Sequence, residues 1–241
     1  MTISSFSLKG HKSSVNCLEC SKNNDSSLLL SGSDDKTARL WDVRTSKTVL
    51  CMQTASPVLS VAFRELSAKV ELAGSFSKKA SVFLAMEDNT IHEYDLRQAG
   101  TPILTQPTND LTELFELTEE VNQISCSKDR ISVADDGGTV RIWDDTKLRV
   151  LHGDRSAPFL MTSCSFRSGD QLASGGTDCS VYLWDIGRPH KPLDTINITR
   201  DDTGANQICN PPMIHSLSWS PSGRLLASGL GDGTVGIMTV V

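Results

Sequence analysis

Cys17 and Cys20 stand three residues apart, a spacing at which two thiolates can grip zinc. The run that holds them, SVNCLEC at 14–20, reads as a strand, where residues three apart point to opposite faces, so the pair cannot chelate one ion without a bend. GLGDG at 229–233 offers the spaced glycines of a phosphate cradle. It lies between two strand-like runs and not between a strand and a helix, which makes it a hairpin turn. The five histidines, His11, His92, His152, His190 and His215, show no His-Glu-x-x-His grouping, and no serine sits in a Gly-x-Ser-x-Gly elbow. These residues lead us to expect no catalytic set, no metal and no cofactor.

Two further motifs carry charge. Trp41-Asp42-Val43-Arg44 and Tyr94-Asp95-Leu96-Arg97 each set an arginine two residues after an aspartate, where an apolar run ends. A guanidinium is a planar fork that makes several charge-assisted hydrogen bonds and stacks when desolvated, which suits a protein interface. The plainer alternative is a surface arginine that only pairs with a neighbouring acid.

Five copies of one hairpin position these motifs: SGSDDKTARLWD, EDNTIHEYD, ADDGGTVRIWD, SGGTDCSVYLWD and SGLGDGTVGIMT. Each places an Asp/Gly turn before a strand of alternating polarity, the signature of a half-buried strand reached through a hairpin. Trp41, Tyr94, Trp143, Trp184 and Met238 are separated by 53, 49, 41 and 54 residues, so the longer steps hold insertions within a repeat of about 40–45 residues. The insertions fall at 65–79, at 102–120 with five acids and no base between Thr108 and Val121, and at 199–212. Within each repeat we expect an inner strand (SVNCLEC, LSVAFR, VNQISC, MTSCSF, HSLSWS), a second (LLLSGS, SVFLAM, RISVAD, QLASGG, LLASGL) and the third strand that ends on the aromatic and acid. Outer strands are expected in TVLCMQT, TPILT, LRVLH and KPLDTINI, with none after the fifth copy, and residues 3–8 form an orphan strand. The repeats run approximately over 9–54, 55–105, 117–152, 157–198 and 212–241 of a single domain, 1–241.

These residues resemble the WD-repeat β-propeller family over nearly the whole chain. The resemblance implies an all-β fold of about five recognisable four-stranded blades. It also implies that His11, Ser31, Asp35 and Trp41, the family's polar tetrad in the first repeat, link turn, strands and indole by hydrogen bonds; we assign them to rigidity and not to chemistry. The fourth repeat retains Ser174, Asp178 and Trp184, the fifth only Ser228 and Asp232. Seven blades is the common ring of this family. Five repeats are therefore expected either to close with strand 3–8 in the last blade or to form a C-terminally shortened, open arc of a seven-blade ring.

The two charged motifs look like the WDxR box of WD-repeat substrate receptors in cullin-4-class ubiquitin ligases. That resemblance implies that Asp42, Arg44, Asp95 and Arg97 face the adaptor, damage-specific DNA-binding protein 1. The third and fourth repeats break the box with WDDT and WDIG. The alternative is a general scaffold in a chromatin or RNA-processing complex without a ligase link.

Net charge is −6 and no basic stripe is visible in the sequence, so nucleic acid is not expected as a partner. No apolar run approaches the roughly 18 residues of a spanning helix, and MTISSFSLKG lacks the apolar core of a signal peptide. Seven scattered cysteines, an odd number, suit reduced thiols in cytoplasm or nucleus. Proteins are the expected partners.

Overall fold

The structure, a computed structural model, describes residues 7–21, 28–64, 80–98, 100–144, 146–152, 159–198 and 211–240. It divides into two compact units, Met1–Thr112 and Glu113–Val241. The orphan strand expected at 3–8 and the insertions at 65–79 and 199–212 lie wholly or mostly outside the described residues.

The first unit holds two sheets. One is built from β1 (Val15–Cys20), β2 (Leu28–Ser33), β3 (Thr37–Asp42) and β4 (Lys47–Gln53), paired antiparallel in chain order. The other begins with β5 (Val58–Phe63), β6 (Ser81–Met86) and β7 (Ile91–Asp95). TPILT does not supply the second sheet's outer strand. Its β8 (Ile103–Leu104) runs back to the first sheet and pairs parallel with β4, Cys51 against Ile103. The outer strand is instead β9 (Asn109–Asp110), antiparallel to β7 inside the acidic insertion. Two groups fix β9 there: Thr108 N–H donates to Glu93 O at 2.8 Å, and its hydroxyl accepts from Asp95 N–H at 2.8 Å.

Alternating apolar residues from both sheets, among them Leu30, Leu40, Met52, Val58, Val82 and Leu84, form one buried core. The sheets approach closely at Gly32, where a Cβ would fall 2.5 Å from Val58 Cγ1 and 2.6 Å from Cys17 Sγ, so no larger residue fits. The inner strands run in the same direction. Asn16 near the start of β1 donates to Val58 O at 3.2 Å, and Glu19 near its end accepts from Phe63 N–H at 2.5 Å. Corresponding ends of the two sheets therefore lie side by side.

A one-turn helix, Thr112–Phe115, falls where the units meet in sequence. The second unit holds three sheets. They are β10 (Val121–Ser127) to β13 (Leu148–His152), with β11 (Arg130–Asp135) and β12 (Thr139–Trp143) between; β14 (Met161–Ser168) to β17 (Asp194–Asn197), with β15 (Gln171–Gly176) and β16 (Ser180–Asp185); and β18 (Ile214–Trp219), β19 (Leu225–Leu230) and β20 (Val235–Thr239). All are antiparallel, and the last has three strands among the described residues. No helix among the described residues is long and apolar enough to cross a membrane.

All five inner strands shift register at their second residue: Asn16, Leu59, Asn122, Thr162 and His215. A bulge re-aims its extra side chain. Here Asn16, Asn122 and Thr162 each reach a carbonyl of the next inner strand, Val58, Met161 and Ile214 in turn. The sequence gives no sign of this link, because a bulge leaves the polar alternation on either side intact.

Candidate protein-docking site

β3 and β7 each end on an aspartate that folds the following arginine back onto itself. Asp42 Oδ1 accepts the Arg44 N–H at 3.0 Å and Nε at 3.3 Å, while Oδ2 accepts Nη2 at 3.3 Å. Asp95 repeats the arrangement on Arg97: N–H at 2.9 Å and Nε at 2.9 Å to Oδ1, Nη2 at 2.5 Å to Oδ2. An aspartate that bonds its own backbone two residues on makes a turn without help from a partner. Both carboxylates are buried, at 2% and 5% exposure, whereas the arginine side chains remain 55% and 43% exposed. The hydrogen bond from each guanidinium holds its aspartate below the ordinary carboxylate range, and the aspartates raise the arginines in return. Two fixed cationic forks thus emerge at corresponding ends of neighbouring sheets.

The second unit departs from this pattern as its sequence does. Asp144 accepts the Thr146 and Lys147 amides and pairs with Arg149, which arrives from β13. Burial alone would raise Asp144; the bonds from Thr146 and Arg149 outweigh it and hold the carboxyl well below its usual range. Asp185 accepts only the Gly187 N–H in that turn, at 2.8 Å. The third sheet therefore regains an aspartate–arginine clasp that motif reading cannot find, since its arginine sits on the next strand.

The tetrad closes at the other end of the first sheet. Trp41 Nε1–H donates to Ser31 Oγ at 2.8 Å, Ser31 Oγ lies 2.7 Å from His11 Nε2, and His11 Nδ1 lies 3.0 Å from Asp35 Oδ2. Asp35 also accepts the Lys12 and Thr37 amides at 2.8 and 3.1 Å. Burial would raise this carboxyl, but hydrogen bonds from Thr37, Lys12 and His11 bring it down to about 2. Aspartate, histidine and serine in this order form the relay of a nucleophilic triad. Ser31 is 2% exposed, however, and its oxygen is taken by the indole, so a substrate carbonyl has no approach. The set braces the blade.

In the fourth repeat the indole of Trp184 donates to Ser174 at 2.9 Å, and Tyr182 takes the missing histidine's place by donating its hydroxyl to Asp178 at 2.5 Å. Cys17 and Cys20 fall on opposite faces. Cys17 packs on the core, where burial pushes its thiol up to about 12, and Cys20 is exposed.

A family model for the WD domain, G-beta repeat, matches residues 3–42, 145–185 and 208–237. The chain is 30% identical over 95% of its length to a WD repeat-containing protein 53 homolog of Dictyostelium discoideum, covering 62% of that protein. It is 26% identical over 94% of its length to Protein tipD of the same organism, covering 40% of it. It is also 26% identical over 78% of its length to SAGA complex subunit SPT8 of Saccharomyces cerevisiae, covering 33% of it. The chain thus spans about three fifths or less of the curated relatives it matches. Repeated Asp-turn hairpins, four-stranded antiparallel sheets and the serine–tryptophan bond recur along it, and the chain carries WD repeats.

Proposed function

We propose that the protein is a substrate receptor of a cullin-4-class RING ubiquitin ligase, gripping the adaptor damage-specific DNA-binding protein 1 through Arg44 and Arg97, in cytoplasm or nucleus. One observation carries this reading: both WDxR boxes fold into the same clasp, with a buried aspartate presenting a half-exposed guanidinium. A fork held in place before docking loses less rotamer freedom on binding than a free side chain does. The ligase would act by proximity, with the adaptor on this end of the sheets and the substrate held elsewhere on the blades or insertions.

The test is co-purification of the adaptor with wild type and with Arg44→Ala/Arg97→Ala. Recovery should fall about tenfold or more, because interface arginines are frequent hot spots, while the melting curve should drop only modestly, since Asp42 and Asp95 lose a guanidinium but keep the backbone amide two residues on. Lysine at both positions should fail as well, since an ammonium lacks the planar fork. Equal recovery with the double variant, or none with wild type, sinks the reading. A general assembly scaffold then takes its place, a reading that the likeness to a SAGA complex subunit favours. Mass spectrometry of the purified complexes tells the two apart.

A further inference from the structure

The sheets of the second unit separate charge between their two ends. Lys128, Lys147, Arg188, Lys191 and Arg224 are exposed at the end where inner strands turn into second strands and third into outer. Glu116, Glu119, Glu120, Asp136, Asp178 and Asp232 gather at the opposite end, where Arg141, the one arginine there among the described residues, is bound to Asp135. The basic turns abut one another in series. Arg130 reaches Gly169 O and Asp170 on the next sheet, and Arg167 Nε donates to Gly223 O at 2.7 Å on the one after. A cavity of about 320 Å³ opens between the first two of these turns, with Lys128, Arg130, Asp144 and Asp170 on its wall. Lys147, Arg188, Lys191 and Arg224 make no ion pair among the described residues.

We propose that this basic end docks an acidic segment of a partner protein. Unpaired cations on one end of an otherwise acidic chain attract carboxylates locally and steer their approach. The same end also carries exposed Asp129, Asp170 and Asp194. A phosphate backbone, with its closely and evenly spaced charge, would run against those carboxylates, whereas a peptide can place its acids between them. The proposal involves neither Arg44 nor Arg97, and its test does not involve the adaptor.

The probe is a fluorescein-labelled, glutamate-rich peptide followed by fluorescence anisotropy on the whole chain. Saturable binding should weaken as salt rises, because the charges involved are exposed. Lys147→Glu/Arg188→Glu/Lys191→Glu should weaken it about tenfold or more, with an unaltered melting curve. Lys9→Glu/Lys12→Glu in the first unit should leave it unchanged. Peptide binding that survives the triple reversal, or that is lost equally with the Lys9/Lys12 variant, overturns the proposal. So does tighter binding of a single-stranded oligonucleotide of equal charge, which makes the surface a nucleic-acid site. Self-association that only the triple reversal abolishes would make the occupant a second copy and equally overturn it.

Discussion

The first and third sheets share a backbone and differ in what braces it. In the first, Ser31 faces Arg39 across the ladder and accepts the indole of Trp41, which is 3% exposed. In the third, Val133 holds that place opposite Arg141, and Trp143 is half-buried with no serine to accept its N–H there. The polar bond has moved instead to Asp135, fully buried, which accepts the Thr139 hydroxyl at 2.8 Å and pairs with Arg141. The hairpin is thus set by local turn chemistry and alternation, while the bonds that brace it are interchangeable provided each buried group finds a partner.

The sharpest way to break that comparison is to truncate both tryptophans. Trp41→Ala removes a buried aromatic and strands Ser31 and His11, so it should cost about 3–5 kcal/mol. Trp143→Ala should cost clearly less, because its ring is already partly in water. Denaturant melts of the two variants decide it; equal losses would mean that the indole bond adds nothing. The reciprocal change is Asp135→Ala, which leaves Arg141 mostly buried without its carboxylate. Breaking one side of such a pair costs about 3 kcal/mol or more, and a loss under 1 kcal/mol would show that water reaches the guanidinium freely.

A third measurement sets the two braces against acid. Asp35 has a folded value of about 2 against an ordinary 3.8, so its contribution to stability is complete above about pH 4 and fades as pH falls through 3.8 toward 2. The gap corresponds to about 2 kcal/mol. Asp35→Asn should flatten the acid limb of the stability curve by about that amount; an unchanged limb would place the acid sensitivity elsewhere.

The turns and strands of this comparison were legible in the sequence because their causes are local. An aspartate that bonds the amide two residues on, as Asp35, Asp178 and Asp232 do, announces itself by composition alone. What was not legible depends on partners distant in sequence or on a neighbouring strand. TPILT is extended, as expected, but it joins the first sheet because β9 already covers the second. Tyr182 replaces a histidine that the first repeat brings from outside the sheet, and Arg149 restores a clasp that WDDT lacks when the motif is read in line. The charge separation of the second unit is hidden for a different reason. Successive turns alternate between the two ends, so acids and bases interleave along the chain and segregate only when it folds.

The smallest expected effect lies in the turns themselves. The residue after the turn acid adopts positive φ in repeats one, two, four and five: Lys36 at 60°, Asn89 at 63°, Cys179 at 60° and Gly233 at 85°. For a side chain other than glycine or asparagine this costs about 1–2 kcal/mol, whereas glycine's extra freedom in the unfolded chain costs about 0.5–1 kcal/mol. Cys179 is half-buried and bonded only weakly through its sulfur to Thr177 O at 3.9 Å, so little packing is lost with it. Cys179→Gly should therefore stabilise by up to about 1 kcal/mol, and Gly233→Ala should destabilise by a similar amount. If both changes shift the melting temperature in the same direction, strain in the turn does not set their sign, and the equivalence of the hairpins ends at hydrogen bonding.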